Sequence, residues 1–90
     1  MLTPFQTGRF KRDLKRARKR GKDLNKLQHA ISLLVAETPL PASYRDHPLR
    51  GDFAGFRDLH IEPDWLLVYR VNGDELQLVR TGTHADLFDE

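Results

Sequence analysis

Two adjacent segments in the last third of the chain constrain the fold more than any others. Residues 65–71, WLLVYRV, form an almost uninterrupted apolar run, which is typical of a strand at the centre of a sheet. The Asn-Gly pair at 72–73 is a strong signal for a two-residue hairpin turn. Residues 75–81, ELQLVRT, then return with Arg80 on the same face as the two leucines. The sequence therefore predicts an antiparallel hairpin.

The same period of two occurs upstream, in residues 56–61, FRDLHI. Alternation places Phe56, Asp58 and His60 on one face of this predicted strand. The residues between them, including Arg57, point to the other face. The strand therefore presents a polar face and a mostly apolar face.

The N-terminal part of the chain carries helix signals. Residues 2–6 predict a short edge strand, because their proline removes one backbone donor. Thr7 is a suitable N-cap for a helix that ends at Gly21, and Asp23 is a suitable cap for a second helix that runs to about Thr38. Each helix has an apolar stripe at helical spacing. The short turn between them predicts an antiparallel helical hairpin.

The connection across residues 38–55 contains three prolines and two glycines, which interrupt regular structure. A short strand is predicted within residues 44–49. Together the elements predict an α+β fold in which the N-terminal helical hairpin packs on one face of a small antiparallel sheet, with the other face open and polar. Ninety residues are enough for one such domain, so a single domain over residues 1–90 is expected.

Charge is divided unevenly along the chain. Residues 1–34 hold ten lysines and arginines against two aspartates, whereas the remaining residues hold five against eleven acidic side chains. A half this basic indicates a polyanion or an acidic protein as partner, although a solvated helix face is a common alternative. Cysteine is absent, which excludes disulfides and thiolate zinc sites. No apolar run has signal-peptide or membrane-spanning length, so a cytoplasmic location is expected.

Side chains suited to acid–base chemistry are concentrated in the strand half. His47 precedes the first long strand, His60 lies on it and His84 follows the last strand, so the three can converge on one face of a meander. Histidine exchanges protons near neutral pH without much tuning. Asp58 and Asp64 add carboxylates that can orient imidazoles. This set is the predicted centre of chemistry.

Other chemistries fit the sequence less well. The three histidines are 13 and 24 residues apart, which matches no compact metal motif, and no HExxH segment occurs. Neither a serine nucleophile elbow nor a glycine-rich phosphate loop is present. No metal and no cofactor is therefore expected. The fourth histidine, His29, falls on the polar side of the second helix and is predicted to be a surface residue.

An acid–base set beside a basic surface fits RNA cleavage. RNA supplies its own nucleophile, the 2′-hydroxyl, so the enzyme needs a base, an acid for the 5′-oxygen and a cation for the phosphorane. Histidines can fill the first two roles, and Arg57 or Arg80 is a candidate for the third. Trp65 and Phe88 are candidate surfaces for base stacking, although core packing is the more common role of such a tryptophan.

Four segments of the chain closely resemble the YafQ-type mRNA interferase toxins of the RelE/ParE superfamily: KRGKDLNKL (19–27), YRDHPLRG (44–51), FRDLHIEPDWLLVYR (56–70) and RTGTHADLF (80–88). Together they cover nearly the whole chain. The resemblance implies a RelE-like, microbial RNase-like fold. It also implies a ribosome-dependent endoribonuclease that cuts translated mRNA in the ribosomal A site without a metal and so inhibits translation.

The resemblance assigns roles to individual side chains. His84 is the implied general acid, while His47 and His60 are implied to serve as base or as transition-state stabilisers. Phe88 is implied to contact the nucleotide. Two carboxylates are implied to orient and tune the imidazoles: Asp58 and Asp64.

Partners are implied in the same way. A toxin of this type binds the ribosome with its RNA, and it forms a hetero-oligomeric complex with a cognate ribbon-helix-helix antitoxin, through which it reaches operator DNA. No membrane partner is implied. The basic first helix is predicted to serve the ribosome or the antitoxin through five cations: Lys11, Arg12, Lys15, Arg16 and Lys19.

Two other functions compete with the nuclease. A toxin of the same fold can inhibit a protein target such as DNA gyrase without catalysis. A plain nucleic-acid-binding domain is the third possibility. Neither of these functions needs the histidine set, which therefore separates them from the enzyme.

Overall fold

The computed structural model describes residues 1–89, and within that range it contains five strands and three α-helices. The strands are β1 (Thr3–Gln6), β2 (His47–Pro48), β3 (Arg57–Glu62), β4 (Trp65–Asn72) and β5 (Glu75–Gly82). The helices are α1 (Gly8–Lys19), α2 (Leu24–Val35) and α3 (His84–Phe88). Two short 3-10 turns, Ala42–Tyr44 and Gly51–Phe53, lie in the long connection between α2 and β3. Within residues 1–89, no helix has both the length and the hydropathy that crossing a membrane requires.

The strands form one sheet in the order β1-β5-β4-β3-β2. The predicted β4–β5 hairpin is present, but its two turn residues are Gly73 and Asp74, one position later than predicted, since Asn72 pairs with Glu75. Strands β2, β3, β4 and β5 pair in antiparallel fashion as expected. The sheet is nevertheless mixed, because β1 pairs with β5 in parallel, with Thr3 opposite Glu75. Such a pairing needs a long crossover, here α1 and everything that follows it up to β5, so no local sequence signal indicates it.

Both predicted helix caps are present. The Thr7 hydroxyl accepts a hydrogen bond from the Phe10 amide at 3.1 Å, and the Asp23 carboxylate accepts one from the Asn25 amide at 3.0 Å. Gly21 has a φ of +76°, which suits the residue just beyond the end of α1. The predicted α+β fold, with a helical hairpin on one face of the sheet, is confirmed.

The main core lies between the helices and one face of the sheet. Phe10 from α1 and Leu27 from α2 pack there against buried side chains of the three longest strands: Leu59, Trp65, Leu67, Tyr69, Leu76 and Leu78. These side chains alternate along each strand, so they all lie on the side of the sheet that the helices cover. We call this side the helix face. Removal of this apolar surface from water is the main stabilising contribution to the fold.

The opposite side of the sheet, the open face, is not simply polar as predicted. It carries a second apolar cluster of Leu66, Val68 and Leu87, against which partly buried side chains pack: Leu49, Phe53, Phe56, Val79 and Phe88. The reason is that β4 is apolar on both faces, as expected of a central strand, so both faces must be covered. The loop before β3 and the short helix α3 cover one half of the open face, and polar side chains occupy the other half.

Candidate active site

The polar half of the open face brings three of the four histidines together. The ring of His60 lies 6.1 Å from that of His47 and 5.7 Å from that of His84, measured between centroids. His47 lies on edge strand β2, His60 on β3 and His84 at the start of α3. The predicted convergence is therefore present. The fourth histidine, His29, is exposed on α2, as predicted.

His84 is oriented by Asp64. Its ring atom Nδ1 lies 2.6 Å from Asp64 Oδ1, and its backbone amide donates to the same oxygen at 2.9 Å. These two hydrogen bonds, the amide first, lower the pKa of Asp64 below its ordinary value. Asp64 is therefore ionised at neutral pH and orients the His84 ring through Nδ1, so that Nε2 is the atom left for a substrate.

The segment around His84 is fixed by close packing and by charge. Thr83 and Asp86 form a reciprocal capping box, in which the Asp86 amide donates to the Thr83 hydroxyl at 3.0 Å and the Thr83 amide donates to the Asp86 carboxylate at 2.9 Å. Arg20, the residue that caps the C-terminal end of α1, pairs with Asp86 at 2.6 Å, which lowers the pKa of that carboxyl well below its usual range. A β-carbon at Gly82 would lie 2.9 Å from Asp86 Oδ2, so this approach requires glycine.

His47 lies between a backbone carbonyl and a buried carboxylate. Its Nδ1 is 2.8 Å from the Arg45 carbonyl oxygen, and because a carbonyl can only accept, Nδ1 carries the proton. Its Nε2 is 3.1 Å from Asp58 Oδ1, within ion-pair distance but without the alignment of a hydrogen bond. Asp58 is only 3% exposed, and this burial raises its pKa, an effect that the three nearby histidines partly offset.

His60 occupies the middle of the row, and its Nδ1 is buried without a hydrogen-bond partner among residues 1–89. The three histidines and Asp58 form one end of a groove of about 330 Å³. Four side chains from the loop before β3 and from α3 form the other end: Leu49, Arg50, Phe53 and Phe88. The groove thus combines imidazoles, one arginine and an aromatic wall in which Phe53 meets Phe88 edge-on at 5.4 Å. Such a combination suits a nucleotide with its phosphate.

A larger groove of about 630 Å³ adjoins the first one at His60, between the start of α2 and β3. Its lining includes Lys26 and Arg45, but also Asp23 and Glu62, so its formal charges cancel. Its lining includes His60 but lacks the other two histidines of the row, His47 and His84. We therefore place the chemistry in the smaller groove.

The two arginines predicted to face the phosphorane lie elsewhere. Arg57 NH2 is 2.9 Å from Asp46 Oδ2, and Arg80 Nε is 2.7 Å from Asp13 Oδ2. Alternation along β3 places Arg57 opposite to Asp58, and the partner of Arg80 belongs to α1, so both guanidinium groups are held on the helix face. Neither arginine lines the groove, which corrects that part of the sequence interpretation.

Trp65 is also not available to a base. It is 1% exposed within the main core, where its indole N–H donates to the Thr81 hydroxyl at 2.9 Å. The more common role of a tryptophan, core packing, is therefore the correct one here. Phe88, one helical turn after His84, does line the groove. Arg50 and Phe53, which the sequence interpretation missed, come from an irregular loop that has no periodic signal.

Comparison with known proteins identifies the family. The family model for "Bacterial toxin of type II toxin-antitoxin system, YafQ" matches residues 2–89. The chain belongs to the YafQ family. The mRNA interferase toxin YafQ of Escherichia coli K12 is 52% identical over 83 residues, which cover 91% of this chain and 90% of that protein. The resemblance inferred from the four sequence segments is thus confirmed.

Solved structures of bacterial toxins share the fold. A crystal structure of the E. coli DinJ-YafQ complex superposes with a TM-score of 0.90 at 47% identity, covering 98% of this chain and 99% of that one. A metal-bound toxin from Helicobacter pylori gives a TM-score of 0.92 at 43% identity, covering 98% and 100%. In the present structure, no group of three or more histidine, aspartate or glutamate side chains within residues 1–89 is arranged to hold a metal ion.

Helix α1 gives this YafQ-family toxin a basic surface. Six of its cations are exposed: Arg9, Lys11, Arg12, Lys15, Arg18 and Lys19. Arg16, which was predicted to belong to this surface, instead turns toward the sheet, where its NH2 lies 2.9 Å from the buried Asp13. We define the basic surface as the six exposed cations. It lies on the outer side of α1, whose inner side packs on β5.

Proposed function

We propose that this toxin is a ribosome-dependent mRNA endonuclease of a type II toxin–antitoxin pair, and that it inhibits translation in the cytoplasm by cutting translated mRNA. The row of three imidazoles is the observation that carries the proposal. Neighbouring rings are no more than 6.1 Å apart, and the outer two each face a carboxylate at 3.1 Å or less. A toxin that only binds a protein such as DNA gyrase has no need of this arrangement. The E. coli relative with 52% identity is named an mRNA interferase toxin.

Catalysis proceeds with the RNA 2′-hydroxyl as nucleophile. A base removes its proton, the 2′-oxygen bonds to phosphorus, and the bond from phosphorus to the 5′-oxygen breaks, leaving a cyclic phosphate and a free 5′-hydroxyl. His84, held by ionised Asp64, donates the proton to the departing 5′-oxygen. Of His47 and His60, one takes the 2′-proton while the other stabilises the phosphorane. No step requires a metal ion.

The groove lining suggests how the substrate is bound. Arg50 lines the same groove as the imidazoles and has the charge that Arg57 and Arg80 were expected to supply. Phe88, supported edge-on by Phe53, offers a ring to a base. The groove is shallow and open, which suits a single mRNA strand presented by the ribosome.

Two partners can use the basic surface of α1. Ribosomal RNA phosphates would release counterions on binding its cations, so affinity for the ribosome would fall with salt. An acidic or amphipathic antitoxin segment would also complement it. Because an E. coli relative was crystallised with DinJ, we propose a ribbon-helix-helix antitoxin that forms a hetero-oligomer with this chain and carries it to operator DNA.

A purified translation reaction with a reporter mRNA tests the proposed activity. We expect primer extension to show cuts in mRNA that is being translated and none in the same mRNA without ribosomes. The cuts should persist when a chelator selective for transition metals is added, since the proposed mechanism uses none. Intact transcripts together with inhibited DNA supercoiling would instead establish the gyrase-type alternative.

Removing two cations from the basic surface should weaken ribosome binding. For Lys11→Ala with Lys15→Ala we expect the slope of log affinity against log salt to decrease by about 1.4 to 1.8, since each lost phosphate contact contributes about 0.7 to 0.9. Gln28→Glu with Ser32→Glu on the exposed side of α2 is the matched control, because it lowers net charge equally. Co-sedimentation with ribosomes measures the binding. Equal effects from both pairs would show that only the overall charge matters.

A further inference from the structure

His47 lies on a strand that pairs with the rest of the sheet over only two residues. Strand β2 has two residues, His47 opposite Asp58 and Pro48 opposite Arg57, and it forms the edge of the sheet. Proline has no amide hydrogen to donate, so the backbone ladder at this edge is weak. A catalytic ring must nevertheless be placed to within a fraction of an ångström. Something other than strand pairing has to fix its position.

A group of three side chains on the reverse side of the sheet does so. Asp46 accepts hydrogen bonds from Arg57, at 2.9 Å from NH2 and 3.4 Å from Nε, and from the hydroxyl of Tyr69. Successive residues of an extended chain point to opposite faces, so Asp46 reaches the helix face while His47 reaches the open face. The pair Asp46–Arg57 therefore lies on the helix face, directly behind the pair His47–Asp58 on the open face. We call Asp46, Arg57 and Tyr69 the Asp46 clamp.

Tyr69 gives the clamp its rigidity. It lies on the central strand β4, directly opposite Arg57 in the register, and is only 3% exposed. Burial, followed by the neighbouring Asp46 carboxylate, raises the pKa of Tyr69 far above its ordinary value. The phenol therefore stays protonated at neutral pH and donates to Asp46.

Arg45 connects the Asp46 clamp to the His47 ring. It has a φ of +49° and a ψ of +43°, a left-handed conformation that is unusual for a residue other than glycine. In this conformation its carbonyl oxygen accepts from His47 Nδ1 at 2.8 Å. Arg45 immediately precedes Asp46, so release of Asp46 would let the strained residue relax and its carbonyl turn away. The ring would then lose the contact that selects its tautomer.

We propose that Tyr69 and Arg57 are positioning residues for catalysis, which act through Asp46 and the Arg45 carbonyl to hold His47 in one tautomer with its Nε2 toward Asp58. This inference rests on the proposed nuclease function for its effect on rate. The position of the His47 ring itself can be tested without RNA. Since the clamp touches no substrate, its loss should lower the rate of the chemical step and leave mRNA and ribosome affinity unchanged.

Tyr69→Phe is the most direct test, because it removes one hydroxyl from an otherwise intact core. We expect nitrogen NMR of the His47 imidazole in the isolated protein to change from one tautomer, protonated at Nδ1, to a mixture. The single-turnover cleavage rate should fall about 10-fold with an unchanged half-saturating ribosome concentration. The pH–rate profile should shift on the limb to which His47 contributes.

The other tyrosine is the matched control. Tyr44 packs against the main core one residue before Arg45, and within the described part of the chain its hydroxyl has no hydrogen-bond partner. Tyr44→Phe should therefore leave the tautomer and the rate unchanged. Should Tyr69→Phe fold poorly, Asp46→Asn provides a second variant that keeps the core intact. An unaltered His47 spectrum in both variants would overturn the proposal. If the unmodified protein cut no mRNA, the proposed function would fail, while the spectrum would still decide whether the clamp holds His47.

Discussion

Replacing His84 with glutamine should reduce mRNA cleavage by at least about 100-fold, the usual contribution of a positioned general acid. Glutamine can keep a hydrogen bond to Asp64 but cannot donate a proton to the 5′-oxygen. The ring is partly exposed at the start of a short helix, so the thermal midpoint should change little. Single-turnover primer extension measures the loss, and circular dichroism measures the midpoint.

His29→Gln is the matched control for that experiment. His29 is exposed on α2, outside the row of imidazoles, so the same change there should leave cleavage unaltered. A His84→Gln variant with full activity would remove His84 from the mechanism. The acid would then have to be sought elsewhere in the groove.

Replacing Asp58 with asparagine should make the protein more stable and less active. Burial raises the pKa of Asp58 in the folded state, so the folded protein favours its protonated form. The contribution of the Asp58 carboxyl to the free energy of unfolding is present at acid pH and is lost as the pH rises through the folded pKa. Ionised Asp58 therefore destabilises the protein at neutral pH. Asparagine removes that cost because its amide carries no charge. It cannot, however, stabilise a positively charged His47 ring.

The pH dependence provides the check on this second experiment. We expect the thermal midpoint of Asp58→Asn to exceed that of the unmodified protein at neutral pH, with the difference shrinking toward acid pH. Cleavage should fall by roughly 10-fold to 100-fold, because His47 loses its charged partner. A variant that is less stable than the parent at every pH would contradict this prediction, because it would show that the Asp58 carboxyl group stabilises the folded protein.

The local parts of the fold could be predicted because their signals are local. Thr7 and Asp23 cap helices through atoms two or three residues away. The Asn-Gly pair predicted the hairpin correctly but placed its turn one residue early, because Asn72 still pairs with Glu75 and the positive φ of +61° lies at Gly73. The parallel pairing of β1 with β5 joins Thr3 to Glu75. Contacts of that separation depend on how the intervening elements pack, which no short window of sequence records.

The site was predictable to the extent that strand order determines it. His60 and His84 come together because α3 follows directly from β5 and lies beside the turn that carries Asp64. For Arg57 and Arg80, the period of two already indicates the helix face. The need for a cation beside the phosphorane is therefore weaker evidence for their position than the alternation of the strand. Arg50 could not have been found in this way, because its loop has no repeating pattern.

The absence of a side chain at Gly82 has a consequence for cells that carry this toxin. One added methyl group would meet Asp86 at 2.9 Å and Arg16 at 3.1 Å, and would push on the helix that bears His84. A lineage under pressure to disarm the protein therefore need not alter any residue that handles a proton. We expect that a single base change at this codon, by displacing the Asp86 side chain, lowers cleavage while every histidine of the row remains in the gene.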